Sequence, residues 1–279
     1  MPQTRIVDDS IVEPENKIPI VGEYDVIIAG GGAAGIVAAI ASARNGAKTL
    51  LLEHGGYLGG SLTAGYQLNF GQPPFNSEEE QLIKGITGEI VKKLVQRGGF
   101  LRSDGSSPFN PELFKHVTLK MLLEAGVECK FYTTATETIM DKEAIQGLII
   151  ESKSGREALI SKRVIDCTGD GDIAYKAGAP FEIGSNGTDS VQPLNMMFLA
   201  GGIDIEKVMD HIEDHPDQFG LGLNRTIFER KGTPVLRIQG FFDTTRRYSD
   251  DYDLEVLYTR FGNVPMGSGK DVFYVNMAR

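Results

Sequence analysis

Residues 24–53 constrain the fold of this chain more than any other stretch. A first apolar run ends at Gly30, a helix of small residues is predicted from Gly35, and a second apolar run is closed by Glu53. Strand, tight glycine turn, helix, strand and acid, in this order, are typical of a βαβ unit that binds a dinucleotide. The alternative is a glycine turn that binds no ligand.

The glycines of this turn have separate physical tasks. Gly30 lets the chain turn sharply out of the strand, Gly32 lets a pyrophosphate approach the backbone, and Gly35 lets the helix pack closely. The free N–H groups and the dipole of the helix start stabilise phosphate charge. The Glu53 carboxylate is placed to accept ribose hydroxyls and would repel a 2′-phosphate. The sequence therefore favours FAD or NAD over NADP.

Charge and composition exclude several classes of protein. The 279 residues carry a formal net charge of −10, which argues against general affinity for nucleic acid or for an anionic membrane surface. Residues 1–22 have no cationic start and no apolar core, so we predict neither a signal peptide nor a membrane span. The expected location is the cytoplasm. The cysteines form no CxxC pair and the four histidines are scattered, so no metal site is predicted.

The stretch that follows Glu53 is too rich in glycine for regular structure. It contains six glycines between Gly55 and Gly71. One interpretation is a plain flexible loop. The other is a loop that packs along a cofactor, with Gly60 and Ser61 near phosphate and residues 62–65 near a ring system.

A period-two pattern begins at residue 127 and predicts strands. The segments 137–140, 144–151 and 156–160 read as a three-stranded antiparallel meander, and residues 162–167 read as a separate strand. A second glycine turn, residues 168–172, then leads into a short helix. Its free N–H groups predict a second site for a polar ligand, and a structural N-cap at Asp170 is the alternative.

Helices are also predicted over residues 78–97, 110–124 and 204–215, and a charged helix over residues 251–260.

Taken together, these motifs resemble the FAD-dependent oxidoreductase superfamily with the glutathione-reductase-type fold, and within it the fumarate reductase/succinate dehydrogenase-like flavoproteins. DVIIAGGGAAG with Glu53, LGGSLTAG and VIDCTGDGDIA carry the resemblance, which covers residues 22 to about 205. It implies an α/β fold: an N-terminal arm (1–22), a Rossmann-like FAD-binding domain with a parallel sheet and an antiparallel meander (23–180), and a partial α+β substrate domain (181–279).

The resemblance also implies an extended FAD. Its expected contacts are Gly30, Gly32, Ala33, Ala34, Gly35, Glu53, His54, Gly60, Ser61, Leu62, Ala135, Cys167, Thr168, Gly169 and Asp170. Leu62 stands where the succinate dehydrogenase type carries the histidine that bonds to the flavin. The FAD is therefore expected to be non-covalent.

The activity implied by the resemblance is hydride transfer between FAD and a small organic substrate. No residue of the sequence identifies the proton donor. Arg246, beside Arg247, could bind a substrate carboxylate, although paired arginines are more often surface charges. Tyr66 and Asn69 follow the glycine-rich loop and could hydrogen-bond the flavin ring.

Members of the family continue past the point where this chain stops, so the sequence is expected to be an N-terminal portion. Either a second polypeptide completes the fold or a C-terminal segment is missing, and we expect a complementing polypeptide, a homo-oligomer or both. Two alternatives remain open at this point. The chain could be a non-catalytic FAD-binding subunit of a larger flavoenzyme, or an NAD-binding dehydrogenase domain.

Overall fold

A computed structural model of the chain describes residues 5–12, 16–70, 82–100, 107–184, 191–192, 194–219, 226–230, 233–241, 243, 247, 258–263 and 272–278. The helices of this part are α1 (Ala33–Arg44), α2 (Gly85–Gln96), α3 (Pro111–Glu124), α4 (Asp172–Lys176) and α5 (Ile205–Asp214). Short 3₁₀ turns lie at Gly60–Leu62 and Pro216–Gln218.

The strands, in chain order, are β1 (Arg5–Val7), β2 (Ser10–Val12), β3 (Ile20–Ala29), β4 (Thr49–Leu52), β5 (Asn69–Phe70), β6 (Ser107–Pro108), β7 (Glu128–Lys130), β8 (Thr134–Asp141), β9 (Ala144–Ser152), β10 (Gly155–Asp166), β11 (Asn195–Ala200), β12 (Thr226–Arg230), β13 (Thr233–Gln239), β14 (Tyr258–Asn263) and β15 (Phe273–Ala278). The pairs β1–β2 and β5–β6 form two small sheets of their own.

A six-stranded sheet with the order β7-β4-β3-β10-β9-β8 organises the first part of the molecule. Four adjacent strands of this sheet, β7, β4, β3 and β10, are parallel to one another. The last three in the order, β10, β9 and β8, form the antiparallel meander. The prediction of two separate strands over 156–160 and 162–167 was wrong, because residues 155–166 form the single strand β10. No glycine or proline interrupts residues 156–166, so one strand pairs with β9 along its first half and with β3 along most of its length.

Two apolar layers cover this sheet. On one face α1, α2 and α3 pack with Ile28 and Leu51, and on the other Ile27 and Leu50 pack with Ile173 of α4. All four residues of β4 are buried, as expected for a parallel strand that is covered on both sides. The predicted α/β class, with a Rossmann-like parallel sheet and an antiparallel meander, is confirmed. The boundaries at residues 22 and 180 stay predictions.

A second, five-stranded antiparallel sheet has the order β11-β15-β14-β13-β12. Tyr274 of β15 is 2% exposed and belongs to the core formed by α1, α2 and α3, whereas the adjacent Phe273 packs with Ile212 of α5. The sheet therefore packs on both faces and connects the two parts of the chain.

The helix predicted over residues 251–260 was wrong in its last part, because residues 258–260 belong to β14. Residues 251–257 lie outside the described part. Tyr258, Thr259 and Phe261 have strand propensity, and pairing with β13 and β15 selects the extended form over the local charge pattern.

Among the helices of the described residues, none is long and apolar enough to cross a membrane. The cytoplasmic location stays a prediction.

Candidate cofactor site

The first glycine turn is built by close packing between three segments of backbone. Gly30 has a φ of +102°, and a Cβ atom there would collide with the Cys167 carbonyl oxygen. A Cβ atom at Gly35 would collide with the Gly30 carbonyl oxygen, since α1 begins directly against the turn. Glycine at these two positions is therefore required by the fold itself.

Gly32 is different, because the space beside it is open. A Cβ atom there would have no other atom within 4 Å. Gly32 is also the N-cap residue of α1; no side chain caps this helix, and its first turn contains no acidic residue. The N–H groups of the first turn of α1 are thus not capped by a side chain, which leaves them available to a bound anion.

Glu53 connects the turn to the loop that follows β4. Glu53 is only 6% exposed to solvent. Oε2 accepts a hydrogen bond from the Gly31 N–H at 2.8 Å, and Oε1 accepts one from the Gly55 N–H at 2.6 Å. His54 Nδ1 also lies 3.1 Å from Oε1. A carboxylate oxygen can accept two hydrogen bonds, so one position on Oε2 remains for a ribose hydroxyl.

The glycine-rich loop packs directly on the turn. Gly59, with a φ of +113°, donates its N–H to the Gly31 carbonyl at 2.9 Å. A Cβ atom at Gly60 would lie 3.2 Å from the Gly32 Cα. The buried hydroxyl of Thr63 donates to the Leu58 carbonyl at 2.7 Å. These contacts favour a loop held against the turn over a plain flexible loop.

The second glycine turn is organised around Asp166, the last residue of β10. Its carboxylate accepts the N–H and hydroxyl of Thr168 on Oδ1, at 3.0 and 2.7 Å. On Oδ2 it accepts the N–H groups of Ile173 and Ala174, both at 2.9 Å. Burial alone would raise the pKa of Asp166, but these hydrogen bonds hold it below its usual range.

This geometry corrects both interpretations of the second turn. The N-cap position of α4 is Gly171, not Asp170. The N–H groups at the helix start are occupied by Asp166, and the Asp172 N–H donates to the Thr168 hydroxyl at 3.0 Å. The start of α4 therefore does not provide the free donors that were predicted for a polar ligand.

A cavity of about 820 Å³ lies between the two turns and the loop. The predicted residues that line it are Gly30, Gly32, Ala33, Ala34, Glu53, His54, Gly60, Ser61, Ala135, Cys167, Thr168, Gly169 and Asp170. Two further predicted residues are not among its lining. Gly35 is buried beneath the turn, and the partly buried Leu62 packs against the core.

Sequence reasoning missed a third wall of the cavity. Lining residues that were not predicted are Ala29, Leu52, Thr133, Thr134, Thr136, Glu137, Asp172 and Lys176. Glu137 of β8 and Lys176 of α4 form an ion pair at 3.8 Å. The resemblance predicts Ala135 as a cofactor contact. The alternation of side chains along β8 was the available signal that residues next to Ala135 also line the cavity.

The catalytic candidates are not brought to this cavity. Tyr66 is partly buried against the core of α1, α2 and α3 and is not among the lining residues. Asn69 begins β5, opposite Pro108. Arg246 lies outside the described residues. Burial, and then the charge of Asp166, raise the pKa of the Cys167 thiol, so this cysteine is not an activated nucleophile.

A family model described as "FAD dependent oxidoreductase" matches residues 25–266. The chain belongs to this family. FAD is its cofactor, as predicted, and the alternative of an NAD-binding dehydrogenase domain is set aside. Within the described residues, no group of three or more His, Cys, Asp or Glu side chains could hold a metal ion.

Two curated relatives match shorter segments of this family member. A digeranylgeranylglycerophospholipid reductase from Sulfolobus acidocaldarius is 29% identical over 157 residues, which is 53% of this chain and 34% of the relative. A cinnamate reductase from Clostridium sporogenes is 42% identical over 69 residues, which is 25% of this chain and 10% of the relative. The chain thus covers about a third or less of the length of these relatives.

Solved structures of flavin enzymes share the fold. The flavin-dependent brominase Bmp2 has a TM-score of 0.51 at 14% identity, with 92% of this chain and 56% of that chain covered. The myxobacterial chondrochloren halogenase CndH has a TM-score of 0.50 at 12% identity, with 92% and 53% covered. At this identity the likeness shows the fold and not the reaction.

The cavity fits the cofactor of the family in size and in donor chemistry. Its volume lies in the range of roughly 300–1,000 Å³ that is typical of ligand and cofactor sites. The open space beside Gly32 and the uncapped start of α1 provide one place for a diphosphate. The acceptor position left on Glu53 Oε2 provides one for a ribose.

Proposed function

We propose that the chain binds FAD non-covalently in this cavity and uses it to move a hydride between FAD and a small organic substrate. The observation that carries the proposal is the convergence of three separate glycine segments, at Gly30, Gly60 and Gly169, on one cavity with a single uncapped helix start. Bound FAD supplies the redox chemistry, and the protein supplies position and electrostatics.

Each wall of the cavity has a proposed task. The N–H groups at the start of α1 hold the diphosphate, and Gly32 and Gly60 let it approach the backbone. Glu53 accepts the ribose hydroxyls while it keeps the turn and the loop together. The backbone of Ala135 contacts the adenine, and residues 167–170 cover the cofactor from the opposite side.

Non-covalent binding is supported by the surroundings of Leu62. Its aliphatic side chain cannot bond to a flavin, and it packs against the core instead of lining the cavity. Acid precipitation of the purified protein tests this. The yellow colour should stay in the supernatant, and colour in the washed pellet would contradict the proposal.

Anaerobic reduction tests the activity. The flavin-loaded chain is mixed with a panel of small alcohols, acids and amines, and, after reduction with dithionite, with enoates and other unsaturated acceptors. Loss or return of the blue absorbance band of oxidised flavin identifies the direction and the class of substrate. If no member of the panel changes the spectrum, hydride transfer by this chain alone is contradicted.

A second candidate is an FAD-binding subunit whose catalytic residues lie on a complementing polypeptide or a second copy. It is favoured by the absence of Tyr66 from the cavity and by large exposed side chains such as Ile183, Leu194 and Met196, which are 68, 78 and 68% exposed. Light scattering and mass spectrometry of the purified protein test it. A flavin-loaded monomer that is reduced by substrate would rule it out.

A further inference from the structure

We propose that Asp166 is a positioning residue for the cofactor, whose carboxylate fixes the turn of residues 167–172 as one wall of the cavity. The inference rests on the proposed cofactor site. Asp166 itself is not among the residues that line the cavity, whereas Cys167, Thr168, Gly169, Asp170 and Asp172 are.

The turn is wrapped around this one carboxylate. Its two oxygens accept four hydrogen bonds, all between 2.7 and 3.0 Å, from Thr168, Ile173 and Ala174. The first two come from the start of the turn and the last two from the first turn of α4. Asp166 therefore sets the distance between the end of β10 and the start of the helix.

The intervening residues cannot hold this geometry by themselves. Gly169 and Gly171 have φ values of +100° and +75°, and a Cβ atom at either position would meet no other atom within 4 Å. Neither glycine is therefore fixed by packing, in contrast to Gly30. Glycine also has more backbone freedom to lose than any other residue, so an external anchor is needed to keep the turn in one conformation.

Thr168 extends the anchor to the far side of the turn. Its hydroxyl donates to Asp166 Oδ1 at 2.7 Å and accepts the Asp172 N–H at 3.0 Å. One carboxylate and one hydroxyl thus fix both ends of the segment that lines the cavity. Removing either should leave β10 in place and loosen the wall.

FAD affinity of the holoprotein is the direct test. Asp166→Asn keeps the size of the side chain but replaces one acceptor oxygen by a donor, so it cannot serve both Thr168 and the start of α4. We expect FAD to dissociate with a Kd about 10-fold higher, the size expected for a lost helix-cap interaction. The visible circular dichroism of the bound flavin should change with it.

Asp25→Asn is the matched control. The Asp25 carboxylate also accepts a backbone N–H, from Lys48 at 2.8 Å, and pairs with Lys162 of β10 at 2.6 Å, but it does not line the cavity. Its FAD Kd should stay within about twofold of wild type. Equal Kd values for the two Asn variants and wild type would overturn the proposal, even if both variants melt at lower temperature.

Thr168 supplies a second, independent test in case Asp166→Asn does not fold. Thr168→Val removes the hydroxyl with little change in shape, and Thr168→Ser restores it. We expect about a fivefold higher FAD Kd for the valine variant and recovery with serine. Equal affinities of the two variants would overturn the role of the hydroxyl link. These readouts need no substrate, so they are independent of whether the proposed hydride transfer is found.

Discussion

The two glycine turns of the cofactor cavity have the same order of elements and opposite local construction. Both join the end of a parallel strand to the start of a helix, the first through Gly30 into α1 and the second through Gly169 into α4. At the first turn backbone packing fixes Gly30 and Gly35, and the helix start is uncapped. At the second the glycines are free of contact and Asp166 occupies the helix start.

This difference assigns separate tasks to the two turns. Two uncapped helix starts would offer an anion two places in one cavity. Here only the 12-residue α1 keeps its dipole end available, while the five-residue α4 faces Asp166. The first turn is thus the place for the diphosphate, and the second is a shaped wall. The same sequence pattern predicts both, so the pattern alone does not distinguish an anion site from a capped turn.

The largest effect is expected from Gly30→Ala, which tests the packing of the first turn. The added methyl group would meet the Cys167 carbonyl, and alanine disfavours a φ of +102°. We expect the free energy of unfolding to fall by about 3 kcal/mol or more, or no soluble protein at all. Urea denaturation measures this.

Gly169→Ala is the matched change in the second turn, since Gly169 has a φ of +100° but open space around it. It should cost only the backbone strain, about 1–2 kcal/mol. If both variants lose the same stability, packing is not what separates the two turns.

The next effect is expected at Gly32, where the change should affect binding and leave the fold intact. Gly32→Asp has open space, an ordinary φ of −72° and a good N-cap side chain, so unfolding of the apoprotein should be nearly unchanged. A carboxylate at this position competes with the diphosphate. We expect FAD binding to weaken about 100-fold or more, as measured by flavin fluorescence titration.

Gly32→Asn separates charge from bulk at the same position. It caps the helix without a negative charge, so its FAD affinity should lie between those of wild type and the aspartate variant. Equal losses for both variants would show that bulk, and not charge at the α1 start, decides the affinity.

Much of the first turn could be predicted from the sequence because its logic is local. The strand, Gly30, Gly32, Gly35 and the later Glu53 follow a spacing that has a direct physical reason. The role of Asp166 as the acceptor for the start of α4 was not predicted, because the Ile173 and Ala174 N–H groups lie seven and eight residues further along the chain. An acid at the end of a strand before such a turn was the available signal.

The errors elsewhere have the same origin in tertiary structure. Residues 258–260 looked helical by charge pattern and became a strand because β13 and β15 flank them. The wall formed by Thr136, Glu137 and Lys176 depends on contact between β8 and α4. Residue spacing within either element does not predict this contact.

A smaller effect is expected from the pH dependence of the second turn. The pKa of Asp166 in the folded chain lies below the usual value of 3.8, so its ionised form stabilises the fold above that value. This contribution should be lost as pH falls through the depressed pKa. Asp166→Asn should lower the free energy of unfolding at neutral pH by about 1 kcal/mol, with less difference from wild type near pH 3.

Urea denaturation at both pH values measures the difference between Asp166→Asn and wild type. A difference that grows as pH falls would contradict the sign.

The smallest effect is expected where the second turn meets β8. The Lys176–Glu137 ion pair is 3.8 Å long, with side chains 32 and 54% exposed, so solvent screens it strongly. Lys176→Met should change the free energy of unfolding by less than about 0.5 kcal/mol.

The same variant should also have a small effect on cofactor binding. Because Lys176 lines the cavity near Asp170 and Asp172, its removal leaves that wall more negative, and FAD affinity should fall by about twofold. The loss should disappear in high salt, since exposed charges are screened there. A larger loss that persists in salt would place an anionic part of FAD at the second turn, and would break the division of tasks between the two helix starts.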